Sequence, residues 1–306
     1  MIYKKLFLLL FILFLVGFLW TVTIRHNPLV KIGQKNSLDV SITDNNRLAH
    51  PLVFFDKDAF YRGVEEAKTK NKIFIDHAFG GIVPHHLFPG FIITDFFNRL
   101  SKQNPNTIIL IGPNHYERGD YHALASLYKW ETPFGTVDPN EQVIQELVKN
   151  KMVQIDENVL PEDHAVAGMM PFIKYYLPNT KVVPILLSGF MTEIDTQILS
   201  NELKNYVDSD SVIIAAVDFS HNLTNQQAQE KDRTTLELMR SFNYKQLLSL
   251  NNEYLDSPSS ITVFLKIMQA LGTTKMEIFY HTNSGELQKN DYIETTSYFS
   301  IAYYKL

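Results

Sequence analysis

Histidines and carboxylates follow several apolar, strand-like runs in this chain of 306 residues. His85 comes after the run GIVP and His115 after TIILIGPN, whereas Asp218 and His221 come directly after SVIIAAV. Asp256 lies in LDSPSS, close to another apolar segment. In α/β proteins the ends of strands are where ligand sites are built. Two imidazoles and one carboxylate from such ends could hold one metal ion and leave coordination positions open.

Each of the first two histidines is a weak signal when taken alone. Pro84 ends the strand before His85 because it cannot donate a ladder hydrogen bond, and the adjacent His86 would then point elsewhere. We choose His85 of this pair as the candidate ligand, with a surface loop histidine as the alternative. The Gly-Pro-Asn turn before His115 would aim that side chain out of the end of the sheet. A capping or hydrogen-bonded loop residue is the alternative for His115.

Asp218 and His221 are spaced so that both side chains could face one cavity if the turn between them is helical. A carboxylate beside a neutral histidine is a common acid–base pair, because it fixes the tautomer and raises the imidazole pKa. The alternative is that Asp218 or Ser220 caps the next helix, a role that does not require His221.

Asp256 and His164 both precede predicted helices, where capping is the ordinary role of an Asp or Ser. The local sequence alone favours a helix cap at Asp256. His164, in the segment PEDH, could orient a ligand or substrate, and the alternative is a helix capped by Asp163. Five further histidines have no supporting context and are left unassigned: His26, His50, His77, His122 and His281.

Apolar runs rich in β-branched residues alternate with helical patterns, which indicates an α/β domain with a largely buried sheet. Pro171 should kink or split the helix predicted over Ala165–Tyr176, and Pro184 should place its strand at a sheet edge or bulge. The predicted strands are Lys72–Ile75, Gly81–Val83, Thr107–Ile111, Lys181–Leu187, Ser211–Val217 and Tyr298–Tyr303. The other predicted helices are Asp56–Lys70, Phe91–Leu100, Asn140–Asn150, Thr192–Val207, Gln226–Arg240 and Ser259–Leu271.

The N-terminal sequence indicates a membrane anchor. Lys4 and Lys5 precede an uncharged apolar run, residues 6–24, which approaches the length of a bilayer span. A cleaved signal peptide is the alternative, but no small-x-small cleavage site follows. We therefore predict a cytoplasmic tail (1–5), a transmembrane anchor (6–24), a polar linker or arm (25–55) and an extracytoplasmic domain (56–306). Arg25 and nearby lysines weaken the charge bias that sets this orientation.

Composition excludes some classes of site and partner. The chain has no cysteine, so it has neither disulfides nor thiolate metal ligands. Its formal net charge is −5, and a nucleic-acid binder would need a basic patch. Phosphate-binding glycine loops, the GxSxG elbow and the HExxH zinc motif are all absent.

The ordered segments GIVPHH, IGPNH, TPFGTVD, EDHAVAGMMPF, VVPILL and VDFSH together resemble the Memo family, also called AmmeMemoRadiSam system protein B. The resemblance covers roughly Ile73 to Tyr304. That family is similar in fold to the LigB-type class III extradiol dioxygenases. The resemblance implies a single α/β domain with a mixed, mostly buried central sheet flanked by helices, and a cleft at the strand ends.

The resemblance also implies roles for individual residues. His85, His115 and Asp256 would bind one divalent metal ion. His221, with Asp218, would be the catalytic acid–base, and His164 would orient the substrate. Many Memo proteins have a cysteine where Asp256 aligns, so the oxygen ligand here favours Fe(II), with Mn(II), Zn(II) and copper as alternatives.

Two functions remain open from the sequence. The first is a membrane-anchored, metal-dependent oxidoreductase of the dioxygenase type, and metal-dependent hydrolysis by the same residues is a weaker variant of it. The second is a non-enzymatic module that binds a metal or a peptide and retains the fold. In either case an unidentified small molecule or peptide would occupy the strand-end cleft.

Overall fold

Alternating strands and helices make up most of the computed structural model, which describes residues 48–70 and 72–306. The strands are β1 Ala49–His50, β2 Ala78–Val83, β3 Thr107–Pro113, β4 Ala123–Ala125, β5 Lys129–Thr132, β6 Gly135–Val137, β7 Gln154–Ile155, β8 Lys181–Leu187, β9 Ser211–Ala216, β10 His221–Leu223, β11 Lys275–Asn283 and β12 Thr295–Tyr304. The α-helices are α1 Lys57–Lys70, α2 Gly90–Leu100, α3 Glu141–Lys149, α4 His164–Ala167, α5 Met170–Tyr176, α6 Glu193–Leu203, α7 Asn225–Arg240, α8 Tyr244–Leu247, α9 Pro258–Ala270 and α10 Ser284–Gln288. Short 3₁₀ turns cover Leu160–Glu162 and Lys204–Tyr206.

The central sheet is mixed. Among the described residues its strand order is β10-β12-β2-β9-β3-β8-β4-β7, with β11 on the other side of β12. Strands β2, β9, β3 and β8 are mutually parallel, whereas β12 and β4 run antiparallel to their neighbours β2 and β8. The predicted fold class, a mixed α/β sheet flanked by helices, is confirmed in this part of the chain.

Both faces of the sheet are buried. In β3, Ile109 and Ile111 belong to one apolar cluster, whereas Ile108 and Leu110 belong to the other. Successive strand residues point to opposite faces, so a continuous apolar run such as TIILI requires cover on both sides. Helices α6, α7 and α9 contribute to the first cluster, and α1, α2 and α5 contribute to the second.

Two details of the sequence prediction are wrong. Lys72–Ile75 is not a strand, because it pairs with no other strand among the described residues, although Phe74 is buried and Ile73 and Ile75 are exposed. Pro184 does not mark a sheet edge, because β8 lies between β3 and β4. The short strand β4 pairs only with Ile185–Leu187, so Pro184 has a paired strand on one side alone. Its missing N–H therefore breaks no ladder bond toward β4.

Pro171 does split its predicted helix into α4 and α5. Helix α5 begins at Met170 with the proline in its first turn, where a missing N–H costs least.

The end of the predicted arm is packed rather than loose. Strand β1 pairs with β5 in a small separate sheet, β1-β5-β6. His50 is buried there, with Nε2 lying 2.8 Å from Ser126 Oγ and 3.0 Å from Glu157 Oε2. This previously unassigned histidine thus ties the start of the described chain to the domain.

The predicted tail, transmembrane anchor and most of the linker lie outside the described residues. Across residues 48–70 and 72–306, no helix is both long enough and apolar enough to span a bilayer.

Candidate metal centre

Three adjacent parallel strands deliver the candidate side chains to one edge of the sheet. His85 lies just beyond the end of β2, Asp218 just beyond β9 and His115 just beyond β3. These strands are neighbours in the order β2-β9-β3, and parallel strands end at the same edge. The three side chains therefore meet although they are far apart in sequence.

His85 is held by hydrogen bonds on both ring nitrogens. Its Nδ1 lies 3.0 Å from the carbonyl oxygen of Ala216, which can only accept, so Nδ1 carries a proton. Its Nε2 lies 3.1 Å from Oδ2 of Asp256. The side chain is buried, at 2% exposure. This orientation presents Nε2 to the site.

His115 has the same arrangement with a different partner. Its Nδ1 lies 2.8 Å from Oδ1 of Asp163, and its backbone N–H donates to Oδ2 of the same carboxylate at 2.8 Å. Its Nε2 then faces Asp256, at 3.8 Å from Oδ2. Asp163 also caps α4 by accepting the N–H of Ala165. One carboxylate thus starts the helix and orients the candidate ligand.

Asp256 is a site residue and not the cap of the following helix. Ser257 is the N-cap of α9, because its hydroxyl accepts the N–H of Ser260. The N–H of Asp256 donates to the carbonyl oxygen of Asp218 at 3.1 Å, which ties the two segments together. Its Oδ1 is buried and has no hydrogen-bond partner among the described residues.

These donors fit a divalent metal ion. Two imidazole nitrogens face one carboxylate, and the opposite nitrogen of each imidazole is already committed to an acceptor, the arrangement that orients metal-binding histidines. Ligand atoms lie within 4.8 Å of one another in two overlapping groups, His85–His115–His164 and His85–Asp218–Asp256. A buried carboxylate oxygen without a partner is also costly unless something binds it.

His164 lies beside the two histidine ligand candidates but is held differently. Its ring stacks on His115, with centroids 4.3 Å apart, and lies 4.8 Å from the His85 ring. Gly112 permits this approach, because a Cβ there would lie 3.0 Å from Cβ of Ala165 in α4. No hydrogen bond from a described residue fixes the His164 ring. Burial, together with His85 and His115, lowers the pKa of His164 to about 4.

Neighbouring opposite charges shift the pKa values of His85, His115 and Asp256 in the direction that favours their ionised forms. Burial by itself would lower the pKa of His85, but Asp218 and Asp256 outweigh it and raise that pKa to about 10. For His115 burial also acts downward, and hydrogen bonds to Asp163 and Asp256 raise the pKa to about 9. Burial opposes the ionised form of Asp256, yet His85 and His115 hold its pKa well below the usual range. The metal-free site is therefore a charge-paired cluster at neutral pH.

Asp218 and His221 enter the same region but do not form the predicted pair. Asp218 Oδ1 accepts the backbone N–H of His85 at 3.1 Å, and its Oδ2 lies 3.7 Å from His85 Nε2. Nδ1 of His221 is buried without a hydrogen-bond partner among the described residues. His221 nevertheless contributes to the low pKa of Asp256, so it lies near the site.

The sequence did not reveal the contacts that two residues, Asp163 and His86, make in and beside the site. Asp163 was considered only as a helix cap, and no local signal separates that role from its bond to His115. His86 was set aside, but its Nδ1 lies 2.8 Å from the hydroxyl of the buried Tyr298. Since Tyr298 comes from β12, only the tertiary structure makes that pair visible.

The fold and site define an α/β protein with a histidine–carboxylate cluster at its strand ends. The family model described as Memo-like protein matches residues 61–302. The chain belongs to this Memo-like family, which confirms the resemblance seen in its motifs.

Two relatives of known family support this assignment. A MEMO1 family protein of Sulfurisphaera tokodaii is 30% identical over 197 residues, covering 62% of this chain and 67% of the relative. A MEMO1 family protein of Caldivirga maquilingensis is 27% identical over 237 residues, covering 73% of this chain and 82% of the relative. Among solved structures, the uncharacterized protein JW3007 from Escherichia coli K12 matches with a TM-score of 0.49 at 12% identity, covering 72% of this chain and 98% of that one.

Proposed function

We propose that this Memo-like protein binds one divalent metal ion through His85, His115 and Asp256. The observation that carries the proposal is the convergence of both Nε2 atoms on Oδ2 of Asp256, with each Nδ1 already bound to an acceptor. His164 has no such acceptor, which supports a role beside the metal instead of on it. Two histidines and one carboxylate are typical of mononuclear Fe(II) sites, so Fe(II) is the favoured ion.

The proposed activity is that of a metal-dependent, dioxygenase-like oxidoreductase. The bound metal would bring O₂ and a substrate with adjacent oxygen donors together and pass charge between them. His164 is kept neutral by its low pKa, so it can donate a hydrogen bond to a substrate oxygen without adding charge. His221 would hold or release the substrate proton as the acid–base. Asp218 would hold the His85 backbone, as its hydrogen bond indicates.

Elemental analysis of anaerobically purified protein tests the ligand set. We expect about one metal ion per chain in the wild type, and its loss in the His85→Ala, His115→Ala and Asp256→Ala variants. His122→Ala is the matched control, because it removes an imidazole that is 52% exposed and lies outside the cluster. Metal retained in all three site variants would refute the ligand assignment.

Oxygen consumption with a panel of catechols then tests the activity. Uptake that requires the metal and is lost in His221→Ala would support the oxidoreductase. A wild-type protein that binds no metal, even after incubation with Fe(II), Mn(II) and Zn(II), would leave the binding module as the better function.

We also propose that residues 6–24 anchor the domain to a membrane with the domain outside. The support is the uncharged apolar run itself, preceded by Lys4 and Lys5. Protease added to intact cells should digest the domain. Full protection until lysis would contradict this orientation, and recovery of the chain in the soluble fraction would contradict the anchor.

A further inference from the structure

A buried carboxylate on α7 lies behind the segment that carries Asp218 and His221. Asp232 has no exposed surface, and its ionic partner among the described residues is His281, whose Nε2 lies 2.8 Å from Oδ2. Burying a carboxylate costs free energy, and replacing a whole buried ion pair by apolar residues of similar volume is often neutral or stabilising. The carboxylate therefore needs an explanation other than core packing.

The other oxygen of Asp232 holds Ser220, which lies between Phe219 and His221. The Ser220 hydroxyl donates to Oδ1 at 2.8 Å, and the Ser220 backbone N–H points to the same oxygen at 3.4 Å. Because the one hydroxyl proton of Ser220 is used there, the Ser297 hydroxyl, 2.9 Å away, donates to Ser220 Oγ. The segment is thus fixed on one side by α7 and on the other by β12.

His281 links back to the same segment through an aromatic stack. Its ring lies parallel to Phe299, with centroids 4.1 Å apart and planes 10° apart. Phe299 in turn packs on Phe219, with ring centroids 4.3 Å apart. The hydrogen bonds through Asp232 and the ring contacts through Phe299 therefore close a loop from His281 to both Phe219 and Ser220.

The direction of the His221 ring depends on the backbone of residues 219–221, because no described residue hydrogen-bonds the ring and its Nδ1 is buried without a partner. Main-chain bonds hold part of this backbone: the Phe219 N–H donates to the Ser297 carbonyl at 2.9 Å, the Ser297 N–H donates to the Ser220 carbonyl at 2.8 Å, and the His221 N–H donates to the Asn252 carbonyl at 3.1 Å. Asp232 adds the anchor on the α7 side, through the Ser220 hydroxyl and N–H. We propose that Asp232 is a positioning residue, which fixes this side of the backbone and so aims His221 at the metal centre.

The importance of this role for catalysis rests on the proposed function of His221, but the test does not. Ring ¹⁵N signals are recorded for the full chain, labelled at histidine and freed of metal, and the His221 signals are identified by their loss in His221→Gln. In Asp232→Leu, which leaves Ser220 and His281 without their acceptor, we expect a lower melting temperature together with broadened or shifted His221 signals. Asp232→Asn keeps an oxygen acceptor for Ser220 and should restore the wild-type signals.

Two further variants make the result decisive. Asp95→Asn alters a buried carboxylate of α2 that is paired with Arg99, and it should leave the His221 signals unchanged. If Asp232→Leu fails to fold, Ser220→Ala removes the same anchor by deleting one hydroxyl. It should broaden or shift the His221 ring signals in the way expected for Asp232→Leu. Wild-type His221 signals in the folded Asp232→Leu or Ser220→Ala variant would overturn the proposal, as would an equal change in Asp95→Asn.

Discussion

Asp163 shows how much a single side chain can decide in this site. It accepts the backbone N–H of His115, binds the His115 ring and caps α4. The hydrogen bond to Nδ1 leaves Nε2 as the free donor atom, the usual way in which a protein selects the metal-binding tautomer. The neighbouring His164 has no equivalent partner, and that difference separates a ligand candidate from a residue beside the metal.

Asp163→Asn should weaken metal binding by about 10- to 100-fold, because a neutral amide orients the His115 ring less firmly than a carboxylate. His164→Ala should change the metal dissociation constant much less. Competition with a chromophoric chelator measures both constants. Equal losses in the two variants would show that His164 is itself a ligand.

Metal affinity should rise steeply with pH. In the metal-free protein His85 and His115 keep their extra protons up to a pKa of about 10 and about 9 respectively. A metal must displace one proton from each, so affinity should increase by about 100-fold per pH unit between pH 7 and about 9. Titration calorimetry in buffers of different ionisation enthalpy counts the released protons. Release of no protons at pH 7 would contradict the charge-paired description of the metal-free site.

The same shifts predict how the stability of the metal-free protein changes with pH. A raised histidine pKa stabilises the fold below the unfolded value of about 6.5, and that contribution is lost as pH rises through about 9 to 10. The lowered pKa of Asp256 acts in the opposite sense, since its contribution is lost as the pH falls. The alkaline loss should be smaller in His85→Ala, which removes one of the two groups and leaves His115. Denaturant unfolding of chelator-treated protein at a series of pH values measures both the alkaline and the acidic loss of stability.

At the scale of elements, the close contact between β3 and α4 brings His164 to the site. Gly112 is the penultimate residue of β3, and a Cβ there would also lie 3.3 Å from the carbonyl oxygen of Ala216 in β9. Only the absence of a side chain lets the strand end, the neighbouring strand and the helix approach this closely. The geometry of the histidine cluster therefore depends on one glycine as well as on the histidines.

Gly112→Ala should lower the free energy of unfolding by about 1–3 kcal/mol, because the added methyl overpacks a closed space. It should also push α4, and with it His164, away from His115. Ala165→Gly removes the Cβ that the new methyl would meet, so the double variant should recover part of the loss beyond the cost of the helix glycine itself. Urea unfolding of the wild type, the two single variants and the double variant gives the coupling free energy between residues 112 and 165. If the two changes in unfolding free energy simply add in the double variant, the proposed contact is contradicted.

At the scale of the whole molecule, the described chain begins in a small sheet that is separate from the central one. His50 joins that sheet to the domain through Ser126 and Glu157, and its ring packs on Trp130 with centroids 4.4 Å apart. The first strand of the described chain is thus tied to the domain by a buried side chain.

His50→Ala should destabilise the domain by about 1–3 kcal/mol, because it leaves buried polar partners unsatisfied and removes ring packing. Metal content should stay at the wild-type level, since His50 lies outside the histidine–carboxylate cluster. Thermal unfolding with His77→Ala as the control measures the effect. A loss of metal in His50→Ala would show that the small sheet and the metal centre are coupled.

The sequence by itself determined the central strands, most of the helices and the strand-end positions of the candidate residues. Runs such as TIILI and SVIIAAV are long, apolar and locally unambiguous, so their conformation follows from burial of both faces. The ordered motifs also determined the family. Short strands such as β4 and β10 were missed, because runs of three residues carry little periodicity. The nine-residue β11 was also missed, since most of its residues are only partly buried and show no clear alternation.

Only the tertiary structure decided which side chains meet. Asp163, Asp218 and Asp256 all look like helix caps locally, and the distances to His85 and His115 separate their roles. The roles of Asp232 and His281 were invisible for the same reason, since Asp232 lies on α7 but contacts Ser220 before β10 and His281 on β11. Contacts between residues far apart in sequence depend on strand order and helix packing, and a local pattern of residue types does not contain that information.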